Sequence, residues 1–405
     1  MNRILIAIVA LSLASAVRAQ EETTPDLATL NGKVTSLEEQ YAETKATVAA
    51  LNRIKISGYI QARWVWQECV GNSPSKGCAY STLMNNPATG QSITNGNPTQ
   101  DNFFIRRARL KVVYDADWSQ YVLQFDATPD GFAVKEAYAS LKLPKGWAVD
   151  AGLQLFPFGY DVGVRSSADL DLLERYFGAG YYLKGEYDIG VALRGAYGPF
   201  NLRAGVFNGD GVQAGGHDND QIKDLIGRLG FDFGMVTGGV SGWYGHTRDY
   251  HAYPNVTYDR SRIGADLQVF LDLIRIGGTA LKGEYIAGKT GIGDSTNAGV
   301  GLGIPGYSWQ ASLVQNLGQP FQLAARYQVF VPNNNLEAPA KGAAVKEINE
   351  VDFALHYYLG GNFKFSVVYA HPWNGKTLGT VTDPLKVTNT VKDTDQVVAQ
   401  AQVKF

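Results

Sequence analysis

The sequence has few cysteines, no surplus of charge and no long apolar run, and each absence removes a class of protein. Its 405 residues include 36 Lys and Arg against 38 Asp and Glu, so we expect no nucleic-acid partner. Beyond residue 19 no run of about 18 apolar residues occurs, which excludes a transmembrane helix. We find no nucleophile elbow, zinc-protease motif or placed acid–base pair, so we predict no enzymatic activity, no metal and no cofactor.

The two cysteines, Cys69 and Cys78, lie close together in the polar stretch "QECVGNSPSKGCAYS". In an exported protein such a pair predicts a disulfide that closes a loop. Two free thiols, or a metal site that lacks its other ligands, are the alternatives.

Residues 1–19 have the pattern of a secretory signal. Arg3 supplies the positive charge, residues 4–17 form a short apolar region, and Ala19 ends a small-residue cleavage site before Gln20. The apolar region is too short to span a bilayer as a helix. A buried N-terminal helix is the alternative.

Residues 20–53 contain a heptad pattern. Apolar or seam residues recur at alternating spacings of three and four, at Leu27, Leu30, Val34, Leu37, Tyr41, Thr44, Val48 and Leu51. This pattern predicts a periplasmic coiled coil that holds copies of the chain together. A single amphipathic helix packed on the same chain is the alternative.

From residue 54 to residue 405 the pattern has a period of two. In "FFIRRARLKVVYDADW", which begins at Phe103, charges at Arg107, Arg109 and Lys111 alternate with apolar residues. Sixteen such segments follow one another, and short turns alternate with long loops. This organisation predicts an all-β protein, a 16-stranded antiparallel transmembrane β-barrel. A soluble array of strands does not explain the alternation of short and long connections.

The last segment alternates apolar and polar residues and ends on Phe405. This ending resembles the carboxyl-terminal signal by which outer-membrane barrels are recognised for insertion. We therefore expect the barrel-assembly machinery and the lipid of the outer membrane as partners, since closing the barrel removes an exposed strand edge.

The charged faces of the strands are expected to line a water-filled lumen. A charged side chain that faces lipid near the midplane costs about 2–4 kcal/mol, whereas a barrel of this size leaves an aqueous channel. The alternative is that these charges only pair with acids such as Asp126 and Asp150 across neighbouring strands. We predict that a basic set lines the pore and attracts anions: Arg63, Arg107, Arg109, Lys111, Lys142, Arg194, Arg203, Arg228, Arg262, Lys282 and Arg326.

Four stretches, "RRARLKVVYDADW", "VKEAYASLKLPKGWAVDAGLQLFPFG", "SSADLDLLER" and "DIGVALRGAYGPFNLRAGVFNGDG", resemble the phosphate- and polyphosphate-selective porins, the porin O/P family. The resemblance is dense from residue 103 to 211. It implies a 16-stranded, usually homotrimeric barrel in the outer membrane of a Gram-negative bacterium. It also implies a third long loop, about residues 156–187, that folds into the barrel and narrows it.

Within this third loop Ser166, Ser167 and the Glu174-Arg175 pair match the family pattern. Arg165 is added on chemical grounds, because a guanidinium beside two hydroxyls suits the oxygens of an anion. The sequence therefore predicts a porin for passive diffusion of small solutes that prefers phosphate-like anions. A general diffusion porin with weak or cation selectivity, and a barrel anchor with a structural role in the cell envelope, are the alternatives.

Overall fold

The computed structural model describes residues 27–68, 99–129, 131–183, 185–209, 211–212, 222–248, 257–289, 305–318, 320–331, 341–382 and 395–405. The chain divides into two units, residues 1–53 and 54–405. The predicted secretory signal and the predicted Cys69–Cys78 disulfide lie outside the described residues.

The first unit contains one helix, α1 (Leu27–Leu51). Its heptad residues Val34, Leu37 and Tyr41 are 50%, 63% and 69% exposed. An exposed apolar seam is the surface that a coiled-coil partner would cover, and the coiled coil itself stays a prediction. In the part of the chain that the structure describes, no helix is long and apolar enough to cross a membrane.

The second unit is a closed antiparallel barrel of 16 strands, which confirms the predicted fold. Two further short strands, β10 and β11, pair only with each other in a hairpin. In chain order the strands are β1 (Ile54–Glu68), β2 (Thr99–Asp115), β3 (Ser119–Thr128), β4 (Gly131–Lys142), β5 (Ala148–Leu155), β6 (Tyr187–Tyr197), β7 (Phe200–Phe207), β8 (Asp224–Asp232), β9 (Val236–Tyr244), β10 (His246–Arg248), β11 (Thr257–Asp259), β12 (Arg262–Ile274), β13 (Gly277–Lys289), β14 (Pro305–Asn316), β15 (Phe321–Val331), β16 (Lys341–Leu359), β17 (Phe363–Thr382) and β18 (Gln396–Lys404).

The barrel closes where β1 pairs with β18. Gly58 exchanges two backbone hydrogen bonds with Phe405, each 3.0 Å long. A Cβ atom at Gly58 would lie 2.6 Å from the Phe405 ring and 2.4 Å from the Arg109 carbonyl oxygen. Glycine is therefore required at this position, because the terminal aromatic ring packs directly on the backbone of the first strand.

The outer face of the barrel is apolar and carries aromatic residues near both ends. Tyr114 and Tyr121 flank a short turn with their ring centroids 6.2 Å apart. Near the opposite ends of the strands, Trp309 and Tyr327 lie 5.4 Å apart, and Tyr327 stacks on Trp373. Aromatic residues at both interfaces, with an apolar band between them, are typical of barrels that cross a membrane.

Each of two β-bulges turns one additional cation into the lumen, Arg106 in β2 and Lys135 in β4. The β1–β2 register steps from Gln61 opposite Arg107 to Ala62 opposite Ile105, which leaves Arg106 without a partner residue. The β3–β4 register skips Lys135 in the same way. Strict alternation would turn both side chains toward lipid at a cost of about 2–4 kcal/mol each. The bulges remove this cost, and sequence reasoning had missed both residues as lumen cations.

Candidate functional site in the barrel lumen

The third long loop, residues 156–186 and called L3 below, enters the lumen through an apolar anchor. The anchor consists of Phe156, Phe158, Tyr176 and Tyr182, all at most 1% exposed. The Phe156 ring lies 4.7 Å from that of Trp243 between centroids. The barrel meets the anchor with an inner apolar patch, formed by Phe207, Ile226, Trp243, Ile286, Phe330 and Ile348.

The turn at the start of L3 is fixed by glycine and by two polar side chains of the barrel. Gly159 has a φ of +69°, which favours glycine, and a Cβ there would lie 2.2 Å from Glu284 Oε1. Glu284 accepts hydrogen bonds from the backbone N–H groups of Tyr160 and Asp161, at 3.1 and 3.0 Å. The Gly159 N–H donates to Ser241 Oγ at 2.9 Å. These bonds hold the backbone of L3 where it turns inward.

Arg165 and Ser166, two of the predicted anion ligands of L3, interact with other residues of the same loop. Arg165 donates to Asp171 at 2.8 Å and lies 3.7 Å from Asp161. Ser166 is exposed, and its Oγ accepts from the backbone N–H of Ala168 at 3.2 Å. Arg165 is therefore neutralised inside the loop.

A second predicted cation, Lys282, also binds Asp171, at 2.7 Å. Burial raises the pKa of Asp171, but the charges of Arg165 and Lys282 outweigh burial and lower it below its usual value. On the short-turn side of this ion pair lies a cavity of about 430 Å³. L3 thus leaves part of the lumen open.

Three arginines of β1 and β2 converge on one carboxylate of L3, that of Glu174. Arg63 lies 2.7 Å from Glu174 Oε1, Arg106 lies 2.7 Å from the same oxygen, and Arg107 lies 2.8 Å from Oε2. Burial raises the pKa of Glu174, but the three cations outweigh burial and hold it well below its usual value. Two of the predicted pore-lining cations, Arg63 and Arg107, are therefore buried beneath L3.

Arg109, the next inward residue of β2, binds both the barrel and L3. It donates to Asp126 at 3.1 Å, to Ser167 Oγ at 3.3 Å and to Tyr187 Oη at 3.1 Å. Ser167 is itself only 3% exposed. The predicted residues Arg109 and Ser167 thus meet each other and fasten L3 to the barrel.

The strands from β15 to β18 bind the backbone of L3. Arg326 donates to the Glu174 carbonyl at 2.9 Å and to Asp352 at 2.8 Å. His356 Nε2 lies 2.6 Å from the Asp171 carbonyl oxygen, and Gln402 donates to the Ala168 carbonyl at 3.0 Å. L3 is therefore held along β1 and β2 and along the adjoining strands β15–β18, through its side chains and its backbone.

Three predicted cations on β6, β7 and β8 bind acids of the barrel; Arg194 and Arg203 are partly exposed, whereas Arg228 is 8% exposed. Arg194, Arg203 and Arg228 face one another in register on β6, β7 and β8, and we call them the arginine row. Arg194 lies 2.8 Å from Asp150, Arg203 lies 4.0 Å from the same carboxylate, and Arg228 lies 2.7 Å from Asp266. Three guanidinium groups therefore share two carboxylates.

Exposure separates cations from acids along this part of the lumen. The side chains of Arg194 and Arg203 are 39% and 24% exposed, whereas that of Asp150 is 1% exposed. On strand β2, Lys111 is 30% exposed, and its partner Glu136 on β4, at 2.5 Å, is 12% exposed. In these pairs the cation is thus more exposed than the acid.

The two remaining predicted cations lie elsewhere. Lys142 binds Asp115 at 2.6 Å and the Ala116 carbonyl beside a short turn. Arg262 is buried, with its guanidinium 4.3 Å from the centroid of the Trp243 ring, next to the inner apolar patch. Neither belongs to the arginine row.

No family model matches this chain, and no curated protein matches it either. Solved structures do share its fold. An anion-selective porin from Comamonas acidovorans is 12% identical with a TM-score of 0.58, over 87% of this chain and 99% of that one. The outer membrane channel DcaP of Acinetobacter baumannii is 12% identical with a TM-score of 0.55, over 87% and 97%. OprB of Pseudomonas putida is 10% identical with a TM-score of 0.55, over 88% and 96%. At these identities the likeness shows one thing, that this chain has the barrel fold of outer-membrane porins.

Proposed function

We propose that the protein is an outer-membrane porin, a water-filled channel for passive diffusion of small solutes that prefers anions. The observation that carries the anion preference is the arginine row. Arg194 and Arg203 are partly exposed beside the buried carboxylate of Asp150, and the three cations of the row share two acids. A lumen surface with net positive charge lowers the barrier for negative solutes, because the low-dielectric wall focuses its field into the pore.

Phosphate and polyphosphate-like anions are the solutes we propose. The resemblance of residues 103–211 to the porin O/P family supports them, and guanidinium forks suit tetrahedral oxyanions. Arg203 keeps 24% of its side chain exposed, and its Nη2 donates to the neutral side chain of Gln154 at 2.8 Å. The competing proposal is a general diffusion porin, which is favoured by the pairing of lumen cations with acids, as in Lys404 with Asp169 of L3.

We also propose how the protein is exported, assembled and located, from the patterns in its sequence. Residues 1–19 direct export, residues 20–53 form a periplasmic coiled coil that supports a homotrimer, and Phe405 takes part in recognition by the assembly machinery. The outer membrane of a Gram-negative bacterium is the proposed location.

The test is the zero-current potential of the purified protein in a planar bilayer under a KCl gradient, repeated with phosphate. We expect a potential of the sign for chloride preference and a saturable reduction of current by phosphate. The double variant Arg194→Gln/Arg203→Gln should lose most of the chloride preference and most of the reduction of current by phosphate. The control is Lys145→Asn, which removes a cation from an exposed short turn where φ is +62°, and should change neither.

The anion preference would be wrong if the potential were near zero or of the sign for potassium, and if the double variant left it unchanged. The protein would then be a general diffusion porin. Absence of any current through the folded protein would instead favour a barrel with a structural role.

A further inference from the structure

The cluster of Arg63, Arg106 and Arg107 has the geometry of a ligand site that already holds a ligand. Arg106 binds the Glu174 carboxylate through Nε and Nη2, at 2.7 and 3.2 Å. Arg107 binds it through Nη1 and Nη2, at 3.2 and 2.8 Å. Two guanidinium forks on one planar carboxylate, completed by Arg63 Nη1 at 2.7 Å, form an arrangement that recognises a carboxylate by shape as well as by charge.

We propose that this three-arginine site binds free carboxylate solutes, and that Glu174 is a tethered occupant which such a solute displaces. The inference rests on the proposed channel function, since the solute has to reach the lumen. It names a second class of anion and a second site, separate from the arginine row.

The charge balance of the site favours exchange over simple release. Three guanidinium groups face one carboxylate, so the cluster stays positive while Glu174 is bound. Loss of Glu174 without replacement would leave three buried cations with no counter-charge from that residue, which is strongly unfavourable. A second carboxylate supplies the same hydrogen bonds and the same charge, so that one occupant replaces the other at little cost.

Two features make Glu174 the replaceable partner. Leu173, the residue before it, has a φ of +66°, a conformation that is strained for a side chain of this size. Its carbonyl accepts from Arg63 at 3.2 Å, so the strain is held by the same site. Arg106 is the most accessible of the three arginines, with a side chain 14% exposed, and offers the edge at which a solute would enter.

Displacement would release the Glu174 side chain from all three arginines and loosen the middle of L3 beside β1 and β2. The bonds from Arg63 to the Leu173 carbonyl and from Arg326 to the Glu174 carbonyl would still hold its backbone. A carboxylate solute would in this way widen the path that it uses.

The experiment measures binding of acetate to the full-length protein in two ways. The first readout is the zero-current potential under a KCl gradient while acetate replaces chloride at constant ionic strength. The second, which needs no conductance, is the acetate-dependent rise of the unfolding temperature in detergent. In Glu174→Ala the tethered competitor is gone, so the half-saturating acetate concentration should be at least about tenfold lower than in the wild type.

The matched control is Glu186→Ala, which removes another arginine-bound carboxylate of L3. Glu186 is bound by one arginine, Arg175, through two hydrogen bonds of 2.7 and 3.0 Å, so its removal should leave acetate binding unchanged. Adding Arg106→Gln to Glu174→Ala should abolish the gain. Should Glu174→Ala not fold, Glu174→Gln keeps the side-chain volume, and we expect a smaller gain in the same direction.

Equal acetate dependence in the wild type, Glu174→Gln and Glu186→Ala would overturn the proposal. So would a gain that survives Arg106→Gln. A wild type that conducts no ions while Glu174→Ala still gains acetate-dependent thermal stability would reject the channel function and keep the site.

Discussion

The lumen of this barrel has two sides that differ in what their arginines bind. On the covered side, β1, β2 and β13–β18, the arginines bind L3, and Arg63 and Arg326 are 2% and 4% exposed. On the open side, β3–β8, Arg194 binds an acid of the barrel and keeps 39% of its side chain exposed. The same residue type at the same inward position therefore fastens a loop on one side and is exposed to the lumen on the other.

The difference has an energetic consequence. Removing one partner of a buried ion pair costs about 3–5 kcal/mol, because the other charge is left buried and alone. An exposed pair contributes about 0–1 kcal/mol. Substitutions on the covered side should therefore affect stability, and those on the open side should affect selectivity.

The largest effect is expected from the apolar anchor. Phe158 is fully buried, and a Cβ at Gly264 would lie 2.8 Å from its ring, so the ring fills a space shaped for it. Phe158→Ala should lower the free energy of unfolding by about 3–5 kcal/mol and make L3 sensitive to proteases. Ile263→Ala, on the neighbouring residue of β12 that is 66% exposed on the outer face, is the control and should cost much less. Denaturant unfolding in detergent and limited proteolysis measure both effects, and equal losses would mean that the Phe158 ring does not anchor L3.

A matched pair of arginine substitutions tests the comparison directly. Arg326→Met leaves Asp352 buried without its guanidinium and frees the Glu174 carbonyl, so we expect a loss of about 3–5 kcal/mol in the free energy of unfolding. Arg194→Met leaves the buried Asp150 bound to Ser140 at 2.5 Å and 4.0 Å from Arg203, so we expect a smaller loss of about 1.5 kcal/mol. Similar unfolding midpoints for the two variants would show that L3 contributes little to the stability of the covered side.

Selectivity should respond in the opposite order. Arg203→Gln and Arg262→Gln each remove one positive charge, but Arg203 faces the lumen whereas Arg262 is buried against Trp243. We expect the chloride-to-potassium permeability ratio to fall by about twofold in Arg203→Gln and to stay nearly constant in Arg262→Gln. Zero-current potentials under a KCl gradient measure this ratio, and equal shifts would mean that net charge, rather than exposed charge, sets selectivity.

The barrel was predictable from the sequence because alternation over about ten residues has a direct physical cause, the opposite solvents on the two faces of a strand. The difference between the two sides of the lumen was not predictable. Alternation shows whether a side chain points into the lumen or out of the barrel, but it does not show which residue that side chain contacts. Arg106 was missed since a bulge breaks the period of two. Its sequence signal is the pair Arg106-Arg107, two adjacent charges in a strand that otherwise alternates.

The place where L3 packs on the barrel also has a signal in the sequence. Trp243 and Ile286 occupy inward positions of their strands, where a water-filled lumen would favour polar residues. Inward apolar residues on neighbouring strands mark the place where L3 packs. The partner of each arginine, however, depends on how L3 folds, and no spacing along the chain records that Glu174 meets Arg63.

The smallest effect is expected from pH. Burial raises the pKa of Glu186, but Arg175 and the more distant Arg109 and Arg107 outweigh burial and lower it to about 2. Because the pKa is depressed in the folded protein, the stabilisation is fully present above the unfolded value of about 4.3 and is lost as the pH falls toward 2. We therefore expect the resistance of L3 to acid-stable proteases to be constant from pH 8 to pH 5 and to decline only in strong acid. A decline centred near pH 4.3 would mean that the L3 carboxylates titrate as free groups, and that the ion pairs of the covered side do not hold the loop.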